Sequence, residues 1–171
     1  MEQVYLAAGT IAAAQARVDA LVREYQTKLS RYVRRMVGDA DAALDITQDV
    51  FLAAYRTLRK DPERPLTGGW LYKTATNNSI SFLRRKKVVR FLSLDRDHDL
   101  SGWRIDERSA VSVDLQAAMS RLPADQSSAV MLTSYAGYSS QEAAVMLGTT
   151  ADAVRQRVCR AMKTLRAVMT E

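Results

Sequence analysis

The side chains best suited to reading a nucleic acid lie near the C-terminus, between Thr150 and Ala161. At about 100° per residue, one side of a helix here is apolar, formed by Val154, Val158, Ala161 and Leu165. The opposite side collects Arg155, Gln156, Cys159, Arg160 and Lys163. In a DNA major groove, arginine bonds guanine through two hydrogen bonds and glutamine bonds adenine. The pattern therefore predicts either a DNA-reading helix or a helix whose basic face meets only solvent.

A second set of candidate binding residues falls within residues 69–88. One helical face collects Leu71, Tyr72, Ala75, Ser79, Phe82 and Leu83. The other face carries a mixed stripe of Trp70, Lys73, Asn77, Ser81 and Arg84, and Arg85 extends its charge. An aromatic ring can stack on an unpaired base, an amide can read its edge, and cations can hold phosphates. The stripe therefore indicates partly melted DNA as a ligand, or else a surface helix whose basic end suits its own dipole.

A third candidate surface is a small acidic patch on the helix that precedes this stripe. Asp45, Gln48 and Asp49 lie away from that helix's apolar side, which consists of Ile46, Val50, Phe51, Ala54 and Leu58. An acidic patch on a basic domain can dock a protein partner. A merely solvated helix face is the alternative.

No catalytic, metal or cofactor site can be assembled from the sequence. His98 is the only histidine and Cys159 the only cysteine. The chain contains no Ser-His-Asp arrangement, no metal-ligand spacing and no glycine-rich phosphate loop. We therefore expect a protein that is not an enzyme and that uses no metal or cofactor.

A helix-turn-helix is the predicted scaffold of the C-terminal basic face. Ser139 and Glu142 have the spacing of a capping box, which begins a helix. Gly148 suits the end of that helix because glycine tolerates positive φ. Thr149 or Thr150 can then cap the reading helix. Two short helices joined by such a tight turn form the motif.

The rest of the chain is predicted to be helical as well. Apolar periodicity indicates helices over about residues 15–37, 41–60 and 69–88. Residues 91–113 lose the periodicity, and a four-helix module follows from about residue 114. We therefore expect an all-α fold of two small helical domains, over residues 1–90 and 114–171, joined by a flexible acidic linker over 91–113.

Charge and hydropathy narrow the class of protein. The 171 residues carry a net charge of +6, and two basic blocks flank the acidic segment. Basic blocks attract phosphates by releasing counterions. No apolar run approaches the ~20 residues that cross a bilayer, and no signal pattern begins the chain. A cytoplasmic protein without membrane insertion is expected.

In order and spacing, the motifs resemble those of one family. The N-terminal pieces are Asp45-Ile46-Thr47-Gln48-Asp49-Val50-Phe51, Trp70-Leu71-Tyr72-Lys73-Thr74-Ala75-Thr76-Asn77 and Leu83-Arg84-Arg85. The C-terminal pieces are Leu122-Pro123, Gly137-Tyr138-Ser139, Glu142-Ala143-Ala144, Leu147-Gly148 and Val154-Arg155-Gln156-Arg157. Over residues 20–90 and 114–168 the chain resembles bacterial RNA polymerase sigma factors of the extracytoplasmic-function (ECF) group. Relatives usually carry an acidic residue at the position of Leu44 and an aspartate at that of Ser81.

The resemblance implies a role for each candidate surface. The two domains correspond to sigma two and sigma four, which together direct core RNA polymerase to promoters. Asp45, Gln48 and Asp49 would dock the clamp helices of the β′ subunit. Trp70, Lys73, Asn77, Ser81, Arg84 and Arg85, with the preceding loop, would handle the minus-ten element during melting. Arg155, Gln156, Cys159, Arg160 and Lys163 would face the minus-thirty-five element.

The resemblance also implies partners beyond promoter DNA and the β′ clamp helices. They are the β flap of polymerase and an anti-sigma protein, since many members of the group are held inactive by one. Two rival hypotheses use the same residues. One is a stand-alone helix-turn-helix regulator, which leaves the 45–49 patch and the 70–85 stripe unexplained. The other is a helical adaptor that binds only proteins, which predicts no salt-dependent DNA affinity.

Overall fold

The computed structural model of the protein describes residues 2–92 and 110–169, with side-chain surroundings for 11–88 and 115–168. Three helices form the N-terminal half: α1 (Glu2–Val37), α2 (Ala40–Lys60) and α3 (Gly68–Leu92). The C-terminal half contains α4 (Ala110–Ser120), α5 (Ala124–Val130), a π-helical turn (Met131–Tyr135), α6 (Ser140–Leu147) and α7 (Ala151–Met169). No strand occurs within the described ranges, which confirms the all-α prediction. Most of the predicted acidic linker, residues 93–109, lies outside the described residues.

Helix α1 begins at Glu2, well before the start near residue 15 that periodicity predicts. Its first turns are rich in alanine, the best helix former, so that helical structure does not require an apolar stripe there. Ala14 and Val18 are buried against Leu58 of α2. The extension of α1 thus packs on the far end of α2.

Helix α2 carries the predicted apolar side into the core. Asp39 caps its N-terminus, because the carboxylate accepts a hydrogen bond of 3.0 Å from the Ala42 amide. The helix ends before Pro62, whose ring disfavours the α conformation at the preceding residue. The predicted core positions Ile46, Val50, Ala54 and Leu58 are all buried, and Phe51 is half-buried.

A buried hydroxyl pair joins α1 to α3. Tyr32 is fully buried, and its hydroxyl lies 2.6 Å from Thr76 Oγ1. Thr76 Oγ1 in turn donates to the Tyr72 carbonyl at 2.7 Å within α3. Burial raises the pKa of the Tyr32 phenol, so the pair stays neutral across the physiological range.

The two halves pack against each other through aromatic rings. Tyr32 meets Tyr72 edge-on with centroids 4.9 Å apart, and Tyr72 meets Tyr138 of the C-terminal half at 5.7 Å. The guanidinium of Arg35 lies 4.8 Å from the ring centroid of Tyr135. The Gln116 amide donates to the Arg35 carbonyl at 2.9 Å. One buried hydrophobic cluster therefore continues from α1–α3 into α4–α7.

The π-helical turn shapes this contact. The Ala136 amide donates to the Met131 carbonyl at 2.9 Å, five residues back rather than four. A π turn accommodates one extra residue in a helix. It carries Tyr135 at its end, where the ring lies 6.2 Å from that of Tyr32.

Among the described residues, no helix is long and apolar enough to cross a membrane.

Candidate nucleic-acid interface

Helices α6 and α7 form the predicted helix-turn-helix. The Ser139 hydroxyl accepts a hydrogen bond of 3.2 Å from the Glu142 amide, and Glu142 Oε2 accepts one of 2.8 Å from the Ser139 amide. The Ser139 hydroxyl also donates to Glu142 Oε2 at 2.7 Å. This bond, together with the bond from the Ser139 amide, lowers the pKa of Glu142 because both stabilise the charged carboxylate. Gly148 ends α6 in the left-handed region, at φ 63°. The capping box and the glycine turn are both confirmed.

Thr150, rather than Thr149, caps α7. Its Oγ1 accepts a hydrogen bond of 3.2 Å from the Ala153 amide, and its carbonyl accepts the Val154 amide at 3.0 Å. Asp152 lies in the first turn, where the positive end of the helix dipole favours a carboxylate. Thr150 therefore sets the position at which the reading helix begins.

The two faces of α7 divide as predicted. Val154, Ala161 and Leu165 are buried, and Val158 is half-buried. The polar face is exposed along its length, and its members are Arg155, Gln156, Cys159, Arg160 and Lys163. The structure thus brings all five predicted residues to one open face.

Ion pairs distinguish the arginines of α7. The guanidinium of Arg155 pairs with Asp152 one turn earlier, and both side chains stay exposed. Arg157 Nε lies 3.3 Å from the carboxylate of Asp125, which ties α7 to α5. Arg157 is therefore a structural residue, whereas Arg155 is oriented and still open to a ligand.

The stripe on α3 is also largely open. Lys73, Asn77, Ser81, Arg84 and Arg85 are exposed. Trp70 is half-buried and packs against the core cluster. Thr67 holds the start of the helix, since its carbonyl accepts the Trp70 amide at 3.0 Å. Five of the six predicted residues are therefore exposed along α3, and Trp70 is partly exposed.

The acidic patch on α2 borders an apolar groove. Asp45, Gln48 and Asp49 are exposed, as predicted. Gln48 lines a groove of about 550 Å³ between α1 and α2. Its apolar lining consists of Val18, Val22, Leu44, Phe51, Leu52 and Tyr55. The acidic patch therefore adjoins the groove through Gln48.

Two leucines of this groove are missing from the sequence prediction. Leu44 is 52% exposed and Leu52 is 48% exposed, which is high for large apolar side chains. With Gln48 they follow one another at intervals of four residues, and residues so spaced share a helix face. That second apolar stripe is the signal in the sequence that points to them.

The described residues hold no group of three or more His, Cys, Asp or Glu side chains that could bind a metal. Cys159 is a free, exposed thiol on the polar face of α7.

Comparison with known families identifies both halves. The family model of Sigma-70 region 2 matches residues 21–88, and that of Sigma-70 region 4 matches residues 112–165. The first match covers the acidic patch and the α3 stripe. The second covers the helix-turn-helix.

Individual relatives agree with these matches. The chain is 32% identical over 158 residues to the RNA polymerase sigma factor NccH of Alcaligenes xylosoxydans, covering 87% of this chain and 84% of NccH. It is 32% identical over 155 residues to the ECF RNA polymerase sigma factor SigE of Mycolicibacterium smegmatis, covering 86% of this chain and 60% of SigE. The chain thus spans less than two thirds of the length of SigE but most of NccH.

A solved structure agrees with the fold. The sigma factor RpoE of Bartonella quintana, in complex with the anti-sigma factor NepR, superposes with a TM-score of 0.70 at 21% identity, covering 89% of this chain and 96% of RpoE. Together, the two matched regions and the relatives show that the chain belongs to the sigma-70 family, as an RNA polymerase sigma factor of the ECF group.

Proposed function

We propose that the chain binds core RNA polymerase and directs it to a set of promoters through two DNA-binding surfaces and one docking surface. The observation that carries the proposal is the exposed polar face of α7, on a capped helix-turn-helix, in a chain that also presents the α3 stripe. The protein contributes binding and positioning, and polymerase contributes the chemistry. We place it in the cytoplasm, where polymerase and DNA are found.

The α7 face is proposed to read the minus-thirty-five element. Residues near the N-terminus of a recognition helix reach base edges in the major groove. Arg155 and Gln156 lie within the first two turns, and Arg160 follows about one turn later. The ion pair with Asp152 holds the Arg155 guanidinium near the N-terminus of α7, the end proposed to face the DNA major groove. Lys163, further along, is assigned to phosphate.

The α3 stripe is proposed to bind the minus-ten element while its base pairs open. Trp70 packs against the core cluster and is partly exposed, and its exposed part can stack on an unpaired base. Asn77 lies two turns further along the exposed stripe, where its amide can reach an edge of an unpaired base. Arg84 and Arg85 continue the exposed face and can hold backbone phosphate.

The groove on α2 is proposed to dock the β′ clamp helices. A helix laid into an apolar groove buries its own apolar face, and charged rims select its partner residues. Leu44 and Leu52 supply the apolar contact, while Asp45 and Asp49 favour a basic partner. The sigma four domain is proposed to contact the β flap. An anti-sigma partner is proposed by analogy with RpoE, which was solved with NepR.

The test is a charge reversal in the acidic patch beside the groove. Asp49→Arg should weaken binding to core polymerase at least about tenfold, because like charges facing each other across an interface cost several kcal/mol. Glu24→Arg is the matched control: it makes the same change at an exposed site on the side of α1 away from the groove. The readout is a pull-down titration, with thermal unfolding as the check on folding.

The result also decides between the proposal and its rivals. Equal polymerase affinity for Asp49→Arg, Glu24→Arg and wild type would contradict the docking assignment. No binding of wild type to polymerase, with retained DNA binding, would favour a stand-alone regulator. DNA affinity that does not change with salt would favour the protein-only adaptor.

A further inference from the structure

An arginine from α1 holds the loop that precedes α3. The guanidinium of Arg17 donates through Nη1 to the Pro62 carbonyl and through Nη2 to the Arg64 carbonyl, the latter at 3.0 Å. The two carbonyls lie 45 and 47 residues away along the chain. A planar guanidinium carries donors in a fixed fork, so that one side chain can bond two acceptors at once. Arg17 thereby fixes the loop relative to α1.

The loop has few amide donors of its own. Pro62 and Pro65 have no amide proton. The Arg64 amide donates to the Asp61 carbonyl at 3.2 Å, which closes a single turn. The guanidinium of Arg17 adds two donors from outside the loop.

Two further contacts join the loop and the first residue of α3 to α1. Leu66 is half-buried against the cluster of Ala14, Val18 and Leu58. At Gly68, a Cβ atom would lie 2.8 Å from the Tyr25 ring, so the ring rests directly on the backbone. Arg17 and Tyr25 are eight residues apart, or about 12 Å along the helix. The contacts therefore grip the loop at both ends.

We propose that the N-terminal part of α1 is a brace for the 61–67 loop, and that Arg17 is a positioning residue for minus-ten recognition. The proposal rests on the proposed function, in which this loop and α3 meet the minus-ten element. The match to Sigma-70 region 2 begins at residue 21, so Arg17 belongs to a helical extension that precedes the matched region. The loop's geometry, and with it the approach of Trp70 to DNA, then depends on residues outside that region.

The first test needs no DNA. Amide hydrogen exchange is measured on Arg17→Ala and on Arg23→Ala, the matched control. Arg23 lies on the same helix and loses the same charge, but its Nε donates only to the Asp19 carbonyl of its own helix, at 3.2 Å. We expect Arg17→Ala to speed exchange at the Arg64 and Trp70 amides about tenfold or more, and Arg23→Ala to leave both at the wild-type rate.

The second test uses holoenzyme assembled from core polymerase and each variant. Open-complex formation is compared on a cognate promoter and on single-base variants of the minus-ten element. A wrong base in a binding site typically weakens binding by about tenfold. The discrimination ratio is open-complex formation on the cognate promoter divided by that on a single-base variant. We expect Arg17→Ala to reduce this ratio at least about threefold, with core-polymerase affinity unchanged. Arg17→Lys should retain part of the ratio, since an ammonium can bond one of the two carbonyls.

Each outcome decides a separate point. Unchanged exchange in Arg17→Ala would overturn the brace. Faster exchange with an unchanged discrimination ratio would overturn the positioning role. A wild-type holoenzyme without minus-ten discrimination would overturn the proposed function of the loop, and the exchange result would still report on the brace, because it is measured on the free protein.

Discussion

The hydroxyl pair between Tyr32 and Thr76 makes a directional prediction about stability. Thr76 Oγ1 has one proton, and it donates that proton to the Tyr72 carbonyl at 2.7 Å. The Tyr32 hydroxyl, 2.6 Å away, must then donate to Thr76 Oγ1. Removing the donor and removing the acceptor are therefore different perturbations.

The two substitutions should differ in cost. Tyr32→Phe removes the donor and leaves Thr76 with its bond to the Tyr72 carbonyl, so we expect a loss of about 1 kcal/mol. Thr76→Val removes the acceptor and leaves the hydroxyl of fully buried Tyr32 without a partner, which costs about 2–3 kcal/mol. In the double variant no polar group is stranded. Its loss should fall about 1 kcal/mol short of the sum of the single losses.

Urea unfolding followed by far-ultraviolet circular dichroism measures all four proteins. For a domain of this size, 1 kcal/mol corresponds to roughly 2–4 °C in Tm, so thermal scans give a second reading. The reasoning is refuted if Thr76→Val costs no more than Tyr32→Phe, or if the two losses add.

Three further predictions concern the helix-turn-helix. Gly148→Ala should destabilise the protein by about 1–2 kcal/mol in urea unfolding, since φ is 63° there and an added Cβ would meet no atom within 4 Å, so that the cost is backbone strain alone. Hydrogen bonding lowers the pKa of Glu142 below its ordinary value of 4.5. Wild type should therefore have a higher free energy of unfolding than Glu142→Gln above pH 4.5, and the difference should disappear as the pH falls through the lowered pKa. Arg155→Ala and Arg160→Ala should each relax base preference at a distinct position of the minus-thirty-five element. Lys163→Ala should instead weaken binding to all sequences evenly and lower the salt slope by about one. If both arginine variants keep the wild-type sequence logo in a binding selection, the two arginines are phosphate contacts.

Local pattern was sufficient where one helix face decides burial. On α7, Val154 and Ala161 are buried and Arg155 and Arg160 are exposed, as the 100° periodicity predicts. The capping box and Gly148 were predictable for the same reason, since each depends on residues within one turn. The roles of the exposed residues in binding DNA and polymerase stay predictions, because exposure alone does not identify a ligand.

Contacts between distant residues were not predictable from local pattern. The early start of α1 is stabilised by packing on Leu58, more than 40 residues further on. The pairing of Tyr72 with Tyr138 joins two halves whose separate periodicities say nothing of each other. Trp70 lies between core and solvent, a position that a helical wheel cannot distinguish from full exposure. The Arg17 contact is invisible in the sequence because its acceptors are backbone carbonyls.

The contact between the halves joins groups far apart on one chain, as the bond from Gln116 to the Arg35 carbonyl spans 81 residues. Closing it is an intramolecular event, so the partners meet at an effective concentration on the order of millimolar. An interface with a millimolar intrinsic Kd, too weak to assemble two separate proteins, would then be closed about half of the time. A substitution at Tyr135, Tyr138 or Gln116 that changes the free energy of this contact by about 1.4 kcal/mol would change the ratio of closed to open forms tenfold. A few side chains at this contact therefore set how readily the two halves, and with them the two proposed DNA-binding surfaces, move apart.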